Sequence, residues 1–164
     1  MAKPTPLVPP ALDPAAVPAR TGSGYPEPFR AAVAGREKRA LGDAVGLTKF
    51  GVNLVRLPPG TASAQRHWHR LEDEFVYVLA GELTLVTDGG AQTLGPGMVA
   101  GFPAGAADGH HLVNRSAADA VYLEIGDRAP GEEVDYPDID LRYRDVDRDV
   151  AGKDVYTRKD GTPY

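Results

Sequence analysis

The chain has 164 residues, enough for one globular domain with a sizeable core. Its 18 basic and 23 acidic residues leave a net charge of −5 with no basic stripe, which argues against nucleic acid or an anionic membrane surface as a partner. Cysteine is absent, so disulfides and thiolate metal sites are ruled out and any metal must be held by histidines and carboxylates.

In chain order, residues 1–28 are rich in Pro and Ala and nearly free of large apolar residues. Such a stretch buries too little to offset its ordering entropy, and a flexible or draped arm is expected. Residues 29–41 are ambiguous. Phe29, Val33 and Leu41 suggest a helical stripe that Gly35 and Gly42 weaken, so a short helix and an irregular lead-in strand are both open. From Leu47 to Asp127 the texture changes to short apolar runs divided by turn signals such as Pro58-Pro59-Gly60, Ala80-Gly81 and Gly95-Pro96-Gly97. The runs are Gly51–Leu57, Phe75–Leu79, Leu83–Thr87, Met98–Phe102, Leu112–Asn114 and Val121–Ile125. Turns about every ten residues point to an all-β sandwich or barrel. Residues 128–164 are acidic and Tyr-punctuated and read as an extension lying across that barrel. Val155 and Tyr156 are candidates for an added edge strand, and the interleaved charges from Asp138 to Asp149 read as surface pairs. No segment approaches the roughly 18 apolar residues of a membrane span, and the Met-Ala-Lys-Pro start lacks an apolar signal core. A cytoplasmic protein is the expectation.

The four histidines fall into two clusters, His67-Trp68-His69 and His110-His111. On a strand, side chains alternate, so His67 and His69 share a face and can chelate one ion while Trp68 points away. Glu74 lies five positions after His69 and would face away on an unbroken strand, but the polar stretch Arg70–Asp73 reads as a turn that resets the register. Glu74 then opens the apolar run Phe75–Leu79, a costly place for a carboxylate without a partner. A His-x-His alone is usually a polar surface pair. Joined to the Glu, the strand and a following Gly, it reads as a set of metal ligands.

Gly60-(six residues)-His67-Trp68-His69-(four residues)-Glu74-(six residues)-Gly81 resembles the first motif of the cupin superfamily, with one extra residue after the first Gly. Gly97-(five residues)-Pro103-Ala104-Gly105 resembles the opening of the second motif, which in that family ends in a His and, four residues later, an Asn. His110 and Asn114 keep that spacing, displaced by two residues, and Asp108 stands where the family has its His. The resemblance spans about residues 47–127. It implies a double-stranded β-helix, a jelly-roll-like barrel over residues 29–127 with motifs at 60–81 and 97–114, flanked by the arm 1–28 and by an extension at 128–164 packed on the barrel. It also implies one divalent metal ion (Zn, Fe, Mn or Ni) on His67, His69, Glu74 and a fourth ligand. His110 is favoured, because it shares a face with Leu112 and Asn114; His111 and Asp108 are the alternatives.

Three imidazoles and a carboxylate leave a six-coordinate ion two open positions, whereas on zinc they complete a tetrahedron. The expected activity is that of a metal-binding cupin acting on a small polar or anionic molecule as an oxygenase, isomerase or lyase. The alternative is a non-catalytic domain that binds or senses a small ligand through the metal. Arg56, on the strand before the first motif, is either a clamp for an anionic substrate or a solvated outward charge. Asn114 is suited to orient a ligand or a neighbouring turn. Trp68, Phe75 and Tyr77 are expected on the outer face of their sheet, covered by the arm or by a second subunit, and a homodimer is expected.

Overall fold

The computed structural model describes residues 7–145 and 156–164. Among them the strands are β1 (Arg20–Thr21), β2 (Glu37–Ala40), β3 (Phe50–Leu57), β4 (Trp68–His69), β5 (Glu74–Ala80), β6 (Leu83–Thr87), β7 (Gly90–Leu94), β8 (Val99–Phe102), β9 (His111–Val113), β10 (Ala120–Asp127), β11 (Glu133–Asp135), β12 (Arg142–Arg144) and β13 (Tyr156–Thr157). They form a six-stranded sheet in the order β1-β2-β3-β10-β5-β8, a three-stranded sheet β7-β6-β9 and a four-stranded sheet β13-β12-β11-β4, with every pairing antiparallel. This is the all-β, double-stranded β-helix architecture.

Each of the apolar runs read from the sequence falls on a strand, with Met98 and Asn114 just outside theirs. Others had no such signal: β7 is Gly-Ala-Gln-Thr-Leu, half of it polar, and is a strand because it closes a hairpin with β6. Between residues 29 and 41 the chain is neither one helix nor one strand. A 3₁₀ turn at Ala31–Val33 precedes β2, and a single helical turn, α1 (Leu41–Ala44), follows it. Tyr156 lies in β13, while Val155 is outside the described residues.

Alternation decides what each strand buries. Val55 and Leu57 on β3, Val76 and Val78 on β5, and Ala120 and Tyr122 on β10 point inward and meet Leu83, Leu85, Leu94 and Leu112 from the facing sheet. This apolar plug fills one end of the barrel. The opposite end is polar, because the next inward positions are Asn53, Glu74 and Glu124; Val76 pairs with Glu124, which pairs with Asn53. Gly81 closes the β5–β6 hairpin at φ +76°, and a Cβ there would lie 2.4 Å from the Asp119 carbonyl. A second cluster, Tyr25, Val33, Ala62, Val134, Tyr136 and Leu141, joins the N-terminal segment to β11 and the residues after it. Tyr25 is 5% exposed, so it anchors residues around it that have few other apolar groups.

Candidate metal centre

The polar end of the barrel is organised by one cross-chain bridge. His67 and His110 pair antiparallel, each backbone N–H donating to the other's carbonyl at 3.1 and 2.8 Å. Residues directly opposite in such a pair put their side chains on the same face, so the partner of His67 faces wherever His67 faces. β4 ends at His69, the polar stretch Arg70–Asp73 turns, and β5 restarts at Glu74 with its carboxylate inward.

Four donor atoms converge. His67 Nε2 is 3.2 Å from His69 Nε2, and Glu74 Oε2 is 3.2 Å from His69 Nε2, 3.5 Å from His110 Nε2 and 3.8 Å from His67 Nε2. Metal–ligand bonds of roughly 2.1 Å imply donor–donor edges of about 3.0–3.4 Å around one tetrahedral or octahedral ion. The two 3.2 Å separations, on either side of His69, are of that size, while His110 Nε2 and His67 Nε2 stand slightly farther from Glu74 at 3.5 and 3.8 Å. His67, His69 and Glu74 form a group that could hold a metal ion. All four side chains are mostly buried, and among the described residues no Lys or Arg pairs with Glu74.

The electrostatics suit a cation. Burial pushes His67 down to about 3, against the attraction of Glu74, so its ring is neutral and a lone pair is available. Burial alone would push Glu74 up, but hydrogen bonds with His110 and His69 hold it well below the usual carboxylate range. His69 is opposed by burial and yet raised, because Glu74, Glu132 and Glu72 surround it with negative charge. An excess of buried negative charge thus collects around His69 that a bound cation would neutralise.

Two of the outer nitrogens are held by backbone carbonyls. His67 Nδ1 lies 2.9 Å from the Gln65 carbonyl and His110 Nδ1 3.4 Å from the Asp108 carbonyl. His69 Nδ1 lies 3.5 Å from Glu132 Oε1. Two aromatic rings flank the set: Tyr136 stacks on His67 at 5.8 Å, and Phe102 lies against His110.

The other candidates go elsewhere. His111 places Nδ1 3.1 Å from the Ala64 carbonyl, on the face opposite to His110. Asp108 is exposed and its Oδ1 accepts the Asp88 N–H at 2.7 Å. The two residues displacing the second motif are accommodated by Arg66, which donates to the Gly109 carbonyl at 3.1 Å, grips Asp138 at 2.6 and 2.7 Å and pairs with Asp88. Arg56 does not reach the site: it is exposed and bonded to Asp119 and Glu37. Asn114 is fully buried and braces a turn, with Nδ2 donating to the Leu57 and Ala118 carbonyls at 2.7 Å each and Oδ1 accepting from Ser116. Phe75 and Tyr77 face outward at 40% and 38% exposure, whereas Trp68 belongs to a different sheet and lies under the Arg70 guanidinium.

The donors line a cavity of about 620 Å³. Sequence reasoning missed Glu72 and Glu132, which line it, and Tyr136, which stacks on His67. Glu72 accepts the Ala129 N–H at 2.8 Å, and burial raises its carboxyl. Glu132 is 4% exposed and Tyr136 likewise. A signal was present in the period-two pattern Glu132, Val134, Tyr136, all buried, with Glu133 and Asp135 between them less so. Lys38, paired with Glu124, and Arg128 also line the cavity.

The family model for the cupin domain matches residues 53–126. Among solved structures, the chain is similar to a sugar phosphate isomerase of the cupin superfamily from Silicibacter pomeroyi, with 47% identity, 94% of this chain and 96% of that one covered, and a TM-score of 0.88. It is also similar to a protein assigned as a sugar phosphate isomerase from Acidithiobacillus ferrooxidans, with 35% identity, 76% and 77% covered, and a TM-score of 0.67. A polyketide cyclase from Streptomyces resistomycificus shares the fold at 23% identity, 71% and 78% coverage and a TM-score of 0.57. No curated protein matches. With nearly half its residues identical to a cupin along almost its whole length, and with both cupin motifs at one end of a double-stranded β-helix, the chain belongs to the cupin superfamily.

Proposed function

We propose that the protein is a metal-dependent isomerase of a small phosphorylated sugar, with one divalent ion held by His67, His69, Glu74 and His110. The observation that carries this reading is the convergence of three Nε2 atoms and one carboxylate oxygen in a cavity of about 620 Å³, large enough for such a substrate. It is supported by the 47% identity to a protein named as a sugar phosphate isomerase. A divalent cation there supplies positive charge that polarises a substrate carbonyl and eases proton removal beside it.

The chain's own groups supply the rest. Moving a carbonyl between neighbouring carbons needs a group that takes a proton from one carbon and returns it to the next. Glu72 lines the cavity beside His69, outside the four donors, with Oε1 tied to the Ala129 N–H, and is placed to carry that proton. Lys38, paired with Glu124, and Arg128, paired with Asp43, are cationic groups at the cavity that a phosphate would meet in competition with those carboxylates. The inner wall of apolar side chains below Val76 and Tyr122 keeps bulk water out of that end of the barrel.

The test is turnover of a panel of aldose and ketose phosphates, followed by proton NMR, with protein loaded separately with iron, manganese, nickel or zinc. Interconversion that is lost in Glu72→Gln with metal content intact supports the reading. Stoichiometric metal, no turnover and ligand-dependent thermal stabilisation would leave a small-molecule binding or sensing domain instead.

Two further points belong to the same reading. The outer face of the six-stranded sheet, with Phe75, Tyr77, Leu79 and Val99 at 38–52% exposure, is assigned to contact with a second copy of the chain. Among the described residues no helix is long and apolar enough to cross a membrane, and a cytoplasmic location belongs to the same proposal.

A further inference from the structure

Of the three histidines whose Nε2 atoms lie near Glu74, His69 differs in what lies beside its outer nitrogen. The acceptors beside His67 Nδ1 and His110 Nδ1 are backbone carbonyls, of Gln65 and Asp108. The acceptor beside His69 Nδ1 is a carboxylate, Glu132, at 3.5 Å. Glu132 is 4% exposed, and both of its oxygens are engaged: Oε1 accepts the Arg70 N–H and Oε2 the Leu71 N–H, each at 2.9 Å. Those amides belong to the two residues directly after His69, and β11 pairs with β4, so carboxylate and imidazole are mounted on one rigid corner. Among the described residues no Lys or Arg forms an ion pair with Glu132, and His69 Nδ1 is a buried nitrogen with no hydrogen-bond partner, Glu132 Oε1 at 3.5 Å lying beside it.

We propose that Glu132 is a positioning residue of the metal centre: it takes the Nδ1 proton of His69 as a hydrogen bond and so keeps the Nε2 lone pair turned toward the ion. A neutral imidazole carries one proton, and an acceptor at Nδ1 selects the tautomer whose free lone pair is on Nε2. A carboxylate draws on that proton harder than a carbonyl does and makes the ring a stronger ligand. The two amide donors give a physical reason for a carboxylate in this buried place, since they orient it without neutralising its charge. His69, Glu72 and Glu132 also lie close enough to hold an ion of their own. Against that, both Glu132 oxygens are already bound to amides, which suits an acceptor for His69 better than a second metal ligand.

The inference rests on the metal reading above, and the experiment separates the two. In the full-length chain, zinc affinity is measured by competition with a chromophoric chelator for the unsubstituted protein, Glu132→Gln and the outward-facing control Glu133→Gln, with near-UV circular dichroism reporting the fold. Glu132→Gln is expected to stay folded and to bind zinc about 10- to 100-fold more weakly, while Glu133→Gln matches the parent within about threefold. Long-range ¹⁵N–¹H NMR on the unsubstituted metal-free chain is expected to show a proton on His69 Nδ1, in addition to any on the Nε2 that faces Glu74. A folded Glu132→Gln with parental affinity, two equivalents of zinc in the parent with one lost in Glu132→Gln, or a His69 Nδ1 without a proton would each overturn it. If the parent binds no zinc, the metal reading fails, and the tautomer measurement still decides the role of Glu132. The same measurement decides if Glu132→Gln does not fold.

Discussion

The phenyl ring of Phe102 lies face to face with the imidazole of His110, centroids 3.5 Å apart and planes 4° from parallel. Phe102 pairs with Glu74 across β8 and β5, so one register sets the carboxylate and the ring that covers a histidine beside it. With that face covered and Nδ1 turned to a carbonyl, Nε2 is the edge of His110 that faces Glu74. Phe102→Ala is expected to lose about 2–3 kcal/mol of stability in urea unfolding and to weaken metal binding about tenfold by freeing the ring. Unchanged metal affinity in a folded variant would show that the stack does not hold His110 for an ion.

The two adjacent histidines can be told apart by metal content. His67→Ala/His69→Ala is expected to retain less than about 0.1 equivalent by elemental analysis, and His110→Ala to bind at least about tenfold more weakly than the parent. His111→Ala, whose ring is turned to the Ala64 carbonyl, is expected to bind normally. Loss of metal in His111→Ala but not in His110→Ala would reverse the assignment.

Acid should weaken the metal-free protein in a defined window. Burial pushes folded His67 down to about 3, whereas an unfolded chain takes up that proton near about 6.5. As pH falls below about 6.5 the unfolded state therefore gains a proton that the folded state refuses, and stability drops by up to about 1.4 kcal/mol per pH unit. Burial also lowers His111, which adds to the slope. His69 acts in the opposite sense: its raised value makes its contribution complete below about 6.5 and lost as pH rises through the folded value. Urea unfolding at pH 7, 6 and 5 should show this decline, with a slope smaller by about one proton in His67→Asn. Equal slopes would mean that His67 titrates in the folded chain as it does in the unfolded one.

The exposed apolar face makes a prediction about mass. Light scattering is expected to give twice the 17.4 kDa chain mass, and Tyr77→Glu, which puts a charge among Phe75, Leu79 and Val99, is expected to give the monomer with its metal content unchanged. A monomeric parent would remove the dimer from the picture.

The local patterns of this chain were enough to reach an all-β sandwich or barrel, and the resemblance of its motifs to cupins implied the double-stranded β-helix. Short β-branched runs between Gly and Pro turns specify strands by their period, and a period is a property of neighbours. The spacing of His67, His69 and Glu74 was legible for the same reason: two residues share a strand face, and a polar turn resets the third. Sequence alone left His110, His111 and Asp108 open, because they are adjacent or nearly so and differ only in which way a strand faces. That parity is set by the pairing of His110 with His67, a contact between distant parts of the chain. Glu72 was in plain view but read as part of a turn, and Glu132 and Tyr136 lay in what read as a surface extension. β11 brings them to the metal end only by pairing with β4. Arg56 shows the converse, since Glu37 on β2 and Asp119 just before β10 hold it outside the cavity. Periodicity sets which residues form strands; cross-strand register, which depends on burial over the whole barrel, determined which of them meet.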